Sequence, residues 1–244
     1  MNPFATMAPA LPVAVPALGP LGGLGEWLSR PGTLSGPGSL PVRLLEHLAY
    51  TGLTLAIALA IAVPVGLLVG HTGRGRVAVI AGSGMLRALP TLGMVTLFVL
   101  LSGTLGIMPP IWALVLLAVP PLLAGIAAGI GAVEPTVVDG ARAMGMTEPQ
   151  VLFRVEVPNA LPVLMGALRL AVLQIIATVA VVSVINLGGL GRYLIDGIAV
   201  RDYPQVLGGA VVIALLAIVV DAVLALVQRI AVSPGLKTHL GGTP

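Results

Sequence analysis

An all-α membrane protein with about five transmembrane helices is the fold class the sequence predicts, on three observations. Charged residues make up only 9% of the 244-residue chain, against 57% hydrophobic residues, whereas soluble domains carry roughly 25% charge. The mean hydropathy is +1.09. Residues 48–70, 88–133, 170–191 and 204–220 contain no Asp, Glu, Lys or Arg, and a helix of about 20 apolar residues suffices to cross the hydrocarbon core.

Taken in order, residues 1–40 read as an irregular, extracytoplasmic arm, with a poorly formed sixth crossing as the lesser alternative. Pro9, Pro12, Pro16 and Pro20 interrupt its apolar stretch, and its first cation, Arg30, comes too late for the basic start of a cleavable signal. The transmembrane domain occupies residues 41–232, with spans at about 48–70, 77–101, 110–133, 161–187 and 206–228. Residues 233–244 form a cytoplasmic tail. The long uncharged stretch holds parts of two spans because Ser102-Gly103 and Met108-Pro109-Pro110 break it. Gly66/Gly70, Gly125/Gly129 and Gly82/Gly84 place small residues where helices can approach closely.

Several polar positions interrupt the apolar pattern and are candidate linings of a passage. Arg87 and Pro90 split the second span, and non-helical backbone at membrane depth is tolerated only where protein or water satisfies it. Arg87, Pro90 and Thr91 are therefore candidates, the alternative being a Pro-kinked helix whose Arg87 reaches the headgroups. Gln174 and Thr178 share a face at i and i+4, and Asn186 with the Gly188-Gly189-Leu190-Gly191 turn follows as a candidate outer gate. Asp221 lies within the last span, a functional position by default. A neutral or hydrogen-bonded structural role is the favoured reading.

Charge sets the orientation and excludes several functions. Arg74, Arg76, Arg87, Arg142, Arg154, Arg169, Arg229 and Lys237 fall on one side of the spans, and Arg30, Arg43, Arg192 and Arg201 on the other. The excess places the loop at 134–162 and the tail in the cytoplasm. With no basic run, the pI near 10 reports topology rather than nucleic-acid binding. There is no Cys, and His47, His71 and His239 are scattered, so disulfides, thiolate sites and a metal cluster are excluded. The single Lys, Lys237, follows Leu236, so no phosphate-cradling Gly-Lys-Ser/Thr loop exists and the chain carries no ATPase of its own.

The most informative segment is 139–158, DGARAMGMTEPQVLFRVEVP. Its charges, Asp139, Arg142, Glu148, Arg154 and Glu156, require water, and its amphipathic helices require a docking partner other than lipid. Glu134-Pro135 opens a short helix that ends at Gly145, a residue suited to the left-handed closing conformation. Thr147-x-x-Gln150 has capping-box spacing, and Val151, Leu152 and Val155 form an apolar side opposite Gln150 and Arg154. Pro158 is expected to stop this helix and Pro162 to begin the next span.

The segment resembles the cytoplasmic signature of permease subunits of ATP-binding-cassette (ABC) importers: E-A-A, three residues, G, nine residues, I-x-L-P. Asp139-Gly140-Ala141, Gly145 and Val155-Glu156-Val157-Pro158 fall at matching spacings, with Asp for Glu, Gly for Ala and Val for Ile and Leu. The resemblance implies an importer permease bundle of the methionine-transporter type, whose loop supplies a coupling helix to a groove of a separate cytoplasmic ATPase. On that reading the coupling residues are Asp139, Gly140, Ala141, Arg142, Met144, Gly145, Met146, Thr147, Gln150, Val151, Arg154, Val155 and Pro158. It also implies a second permease subunit, identical or paralogous, an extracytoplasmic substrate-binding protein, and a multi-pass location in a bacterial or archaeal cytoplasmic membrane. The chain would bind no cofactor, ATP and Mg being used by the partner ATPase.

EHLAYTGLTL, RALPTLGM and NLGGLGRYLIDGI resemble the osmoprotectant branch of such permeases, which serves glycine betaine, choline, carnitine or proline betaine. With 3% aromatic residues, the chain is poorly supplied for an aromatic cage around a quaternary ammonium. Recognition would then fall to the binding protein, with the arm and residues 188–204 as docking surfaces. The alternatives are an ABC importer of another small solute such as methionine, or an ion-coupled secondary carrier using Asp221.

Overall fold

The computed structural model describes residues 19–86, 88–185 and 187–232, and among them all regular structure is helical. Four helices are long and apolar enough to cross a membrane, and a sharply bent pair, a broken span or a re-entrant loop, brings the count to the expected five if it crosses. The arm before residue 19, Arg87, Asn186 and the tail after 232 lie outside the described residues.

The first long helix, α2 (Leu40–Thr72), starts with Pro in its first turn and ends at Gly73, whose φ of +69° suits a residue without Cβ. It packs on α5 (Met108–Ile130), which lies at the centre of the bundle between α2 and α8 (Val157–Val182). Ala58 and Ala62 of α2, Leu114, Ala118 and Leu122 of α5, and Ile175 and Val179 of α8 form the buried core. Lipid offers no hydrophobic drive for helix association, so close van der Waals fit must supply it. A Cβ added to Gly66 or Gly70 would lie 2.8 Å from Ile126 Cβ or 2.6 Å from Ile130 Cβ, and one on Gly125 would lie 2.5 Å from Ala167 Cβ. Two of the three glycine pairs therefore pack helices within the chain. Gly82 and Gly84 face open space.

The second crossing is broken rather than kinked. Helix α3 (Arg76–Leu86) and α4 (Thr91–Ser102) meet at 92°, and Pro90, in an extended conformation with ψ 118°, stands at the N-cap of α4. Proline disfavours helical backbone at the residue before it, so the chain leaves the helix there.

Two expectations are corrected. Pro158 does not stop the second coupling helix, nor does Pro162 begin the fourth span. Helix α7 (Glu148–Val151) continues through a π turn at Leu152–Glu156 into α8, one uninterrupted run to Ile185. The Val157 N–H bonds the Leu152 carbonyl, and this widened turn shifts the register just where Pro158 offers no donor. Asn159 Nδ2 donates to the Val155 carbonyl at 2.7 Å, adding a side-chain bond beside the prolines.

The second correction concerns the opposite end. Within the arm expected to be irregular, α1 (Gly19–Ser29) is helical, with Pro20 in the first turn where its missing N–H costs nothing. At 11 residues, about 16 Å, it is too short to cross. Trp27, 2% exposed, fills the space over Gly208 and meets the Tyr193 ring edge-on at 5.1 Å. Arg30 pairs with Asp202 at the N-cap of α10 (Tyr203–Ala231). The stretch at 188–204 likewise contains a helix, α9 (Gly191–Ala199), packed on α10.

Replacing Gly66 with Val should lower stability by about 1–3 kcal/mol through overpacking against Ile126, whereas Gly82→Ala, in open space, should not. Thermal unfolding in detergent measures both. The Arg30 hydrogen bond holds the Asp202 carboxyl below the usual carboxylate range. Its contribution is present above the unfolded-state value and is lost as pH falls through the folded one. Acid should therefore loosen α1, seen as a shift in Trp27 fluorescence that Asp202→Asn shows already at neutral pH.

Candidate functional site

The coupling segment folds as an α-helical hairpin. Glu134 precedes α6 (Pro135–Ala143) as an extended N-cap. Gly145, at φ +84°, closes it, its N–H bonding the Arg142 carbonyl at 2.9 Å while Met146 N–H reaches the Ala141 carbonyl at 3.2 Å. Gln150 Oε1 accepts from Thr147 N–H at 2.9 Å, the return half of the expected capping box. Val138, Ala141 and Val151 are buried against one another, with Val133, Met146 and Val155 packed around them.

The structure thereby sorts the thirteen predicted coupling residues. Ala141, Val151, Met146 and Val155 face inward and hold the hairpin closed. Asp139, Gly140, Arg142, Met144, Gly145, Thr147, Gln150, Arg154 and Pro158 are exposed and free to meet a partner. The sequence reading missed Phe153, 61% exposed on the π turn, which like Met144 and Val137 is a large apolar side chain open to a partner. Its position opposite Val151 and Val155 is the signal that marks it.

A chain of polar contacts ties the hairpin to the bundle. Arg142 donates to both oxygens of Glu148 at 3.0 and 3.1 Å and to Asp139 at 3.4 Å, and the Glu148 hydrogen bonds raise the Arg142 pKa further. Glu148 Oε2 lies 3.1 Å from His71 Nε2, and His71 Nδ1 lies 2.6 Å from Glu156 Oε2. Arg76 donates to the Gly131 carbonyl nearby. Neither His71 nor Glu156 was singled out by sequence as part of the coupling apparatus.

The candidate path residues are not gathered into one site. Asp221 is held by Arg169, whose Nε and Nη2 donate to its two oxygens at 2.9 and 2.8 Å. Arg169 also donates to Gln228 Oε1, and Gln228 Nε2 donates to the Pro162 carbonyl, both at 3.1 Å. Arg169, counted by sequence among the cytoplasmic cations, is thus the partner that joins α8 to α10. Thr178 spends its hydroxyl on the carbonyls of Gln174 and Ile175 in its own helix. Pro90 and Thr91 sit at the start of α4, while Arg87 and Asn186 lie outside the described residues. At the expected outer gate, Glu46 Oε2 accepts from Gly189 N–H at 2.7 Å and from Arg43 at 3.0 Å. A Cβ on Gly188 would fall 2.1 Å from Glu46 Oε2, so the glycines make room for that carboxylate.

Residues 62–233, from the middle of α2 to the end of the bundle, match the family of binding-protein-dependent transport system inner membrane components. The chain belongs to this family. It is a translocation subunit of such a transport system. The osmoprotectant import permease protein OsmW of Salmonella typhimurium is 32% identical over 208 residues, 84% of this chain and 97% of that protein. The glycine betaine/carnitine/choline transport system permease protein OpuCB of Bacillus subtilis is 32% identical over 200 residues, 82% and 92% of the two chains. The fold is that of a chain in the inward-facing MetNI methionine ABC transporter, with TM-score 0.70 and 21% identity over 80% of this permease and 96% of that chain.

The Arg169–Asp221 pair joins α8 to α10. Asp221→Asn should lower the melting temperature in detergent by leaving a guanidinium without its counter-charge. Arg169→Leu with Asp221→Leu should be less destabilised than Asp221→Asn alone, because the apolar pair leaves no uncompensated charge.

Proposed function

We propose that this permease is the membrane-spanning subunit of an ATP-driven ABC importer of small osmoprotectants such as glycine betaine, choline, carnitine or proline betaine. It works as a pair, with a second copy or a paralogue, in the cytoplasmic membrane of a bacterium or archaeon. A cytoplasmic ATPase that uses ATP and Mg grips its hairpin, and an extracytoplasmic binding protein delivers the solute to the end formed by α1 and α9. The observation that carries this reading is the hairpin itself, with Met144 and Phe153 exposed and unbroken continuity into α8. The solute class is supported by the relatives, whose alignments cover nearly their whole length.

In this mechanism, closure of the nucleotide-binding pair displaces the hairpin, and the rod Glu148–Ile185 carries that displacement into the bilayer. A pulled loop would lose the motion in slack. A rod does not. The spans tilt from inward-facing to outward-facing, and hydrolysis resets them. Asp221 plays no part in carrying an ion, because its carboxylate is already occupied by Arg169.

Gly145 is the sensitive point, since its φ of +84° excludes a β-branched residue without strain. In proteoliposomes containing the ATPase and the binding protein, Gly145→Val should cut imported solute per ATP by about tenfold or more. Labelled betaine, choline and carnitine identify the cargo in the same assay. Uptake driven by an ion gradient with no ATPase present would sink the proposal, as would unchanged coupling in Gly145→Val.

A further inference from the structure

His71 sits in the last turn of α2, at the junction of three parts of the molecule. Its Nδ1 lies 2.6 Å from Glu156 in the π turn and its Nε2 lies 3.1 Å from Glu148 in the coupling helix, which Arg142 of α6 grips from the other side. Glu156 is only 4% exposed, and a carboxylate that deep requires a partner. The ring has one nitrogen within hydrogen-bond reach of each carboxylate, so a single side chain bridges the coupling helix and the π turn. A cavity of about 260 Å³, lined by His71, Arg76, Gly131, Val138, Arg142 and Glu156, lies alongside. Beside that open space, where apolar contact is thin, the polar chain Arg142–Glu148–His71–Glu156 ties the hairpin to α2.

Resting on the coupling function proposed above, we propose that His71 is a positioning residue for energy coupling: it clamps the coupling helix and the π turn to the end of α2, so that displacement of the hairpin moves α2 together with α8. Without the clamp, hairpin motion reaches α8 through the continuous backbone, while α2 follows through its packing on α5 and α8 and through the bond between His47 Nε2 and the Ile176 carbonyl near its other end. The end of α2 nearest the hairpin then lags behind α8. Arg142, itself paired with Asp139, holds Glu148 from the outer side, so Glu148 is gripped by Arg142 on one side and His71 on the other.

The test uses the assembled transporter, permease with ATPase and binding protein in proteoliposomes, and reads labelled solute imported per ATP hydrolysed. His71→Ala should lower that ratio by about tenfold while the ATPase still co-purifies. His71→Arg, which supplies several hydrogen-bond donors for the two carboxylates, should recover a substantial part of it. Glu156→Gln, nearly identical in shape, should also lower the ratio. The double variant should be no worse than the worse single one, because both changes remove one contact. An unchanged ratio in His71→Ala, no recovery with His71→Arg, or additive losses in the double variant overturns the assignment. Should His71→Ala not assemble, Glu156→Gln decides alone, and an unchanged ratio there overturns it equally. If the ATPase fails to co-purify with the unaltered permease, the coupling reading falls. If it co-purifies and the ratio does not move, only the role of His71 falls.

Discussion

Continuity of the backbone from Glu148 to Ile185 is the constraint on which the rest of this structure depends. The run contains Pro149, Pro158 and Pro162, and a proline inside a helix costs about 3 kcal/mol or more through its missing N–H and its clash with the preceding turn. Pro149 sits in the first turn, where no donor is needed. Around Pro158 the helix widens to a π turn. Beside Pro162, Gln228 reaches across from α10 to bond its carbonyl. The run stays helical through all three positions. The helix that emerges is long enough to stand in water at one end and end beyond the hydrocarbon at the other.

That rod would transmit nothing if the bundle around it were loose. Alkyl chains of lipid compete on equal terms with apolar side chains, so helices stay together where backbones come close and where polar groups find partners. The glycine contacts of α5 supply the first on both its faces, toward α2 at Gly66 and Gly70 and toward α8 at Gly125. The bidentate Arg169–Asp221 pair supplies the second, binding α8 to α10. At the far end, Glu46 fastens α2 to the glycine turn that follows α8. The broken crossing α3–α4 has the least of this support, with its glycines at 82 and 84 facing open space.

What sequence reveals here follows the range of each interaction. Hydropathy and charge are local, so the five crossings and their approximate limits are legible, as is the hairpin, whose caps are set by residues three apart. Asp221 is hydrogen-bonded to a neighbouring helix, one of the roles its position allows, yet its partner stands 52 positions away and looks like one more cation marking the cytoplasmic side. Glu156 looks solvated because its neighbours Arg154 and Asp139 are, while the fold buries it against His71, 85 positions distant. Helix α1 is hidden because proline density suggests irregular chain, and it is docking of Trp27 on Gly208 and Tyr193, with the Arg30–Asp202 pair, that holds so short a helix. Pro158 misleads for the same reason in reverse. The rule that proline ends helices omits the π turn.

The distribution of polar groups also bears on where solute selectivity resides. Thr178 has turned its hydroxyl to its own backbone, and Asp221 and Arg169 neutralise each other. Under the proposed function the passage must hold its solute loosely enough for it to leave. Tight selection and rapid release are conflicting demands on one site. A permease that hands selection to a binding protein and the release of energy to an ATPase keeps only the change of shape. Under the proposed function, the glycine contacts, the π turn held by His71 and the closed hairpin all serve that change of shape.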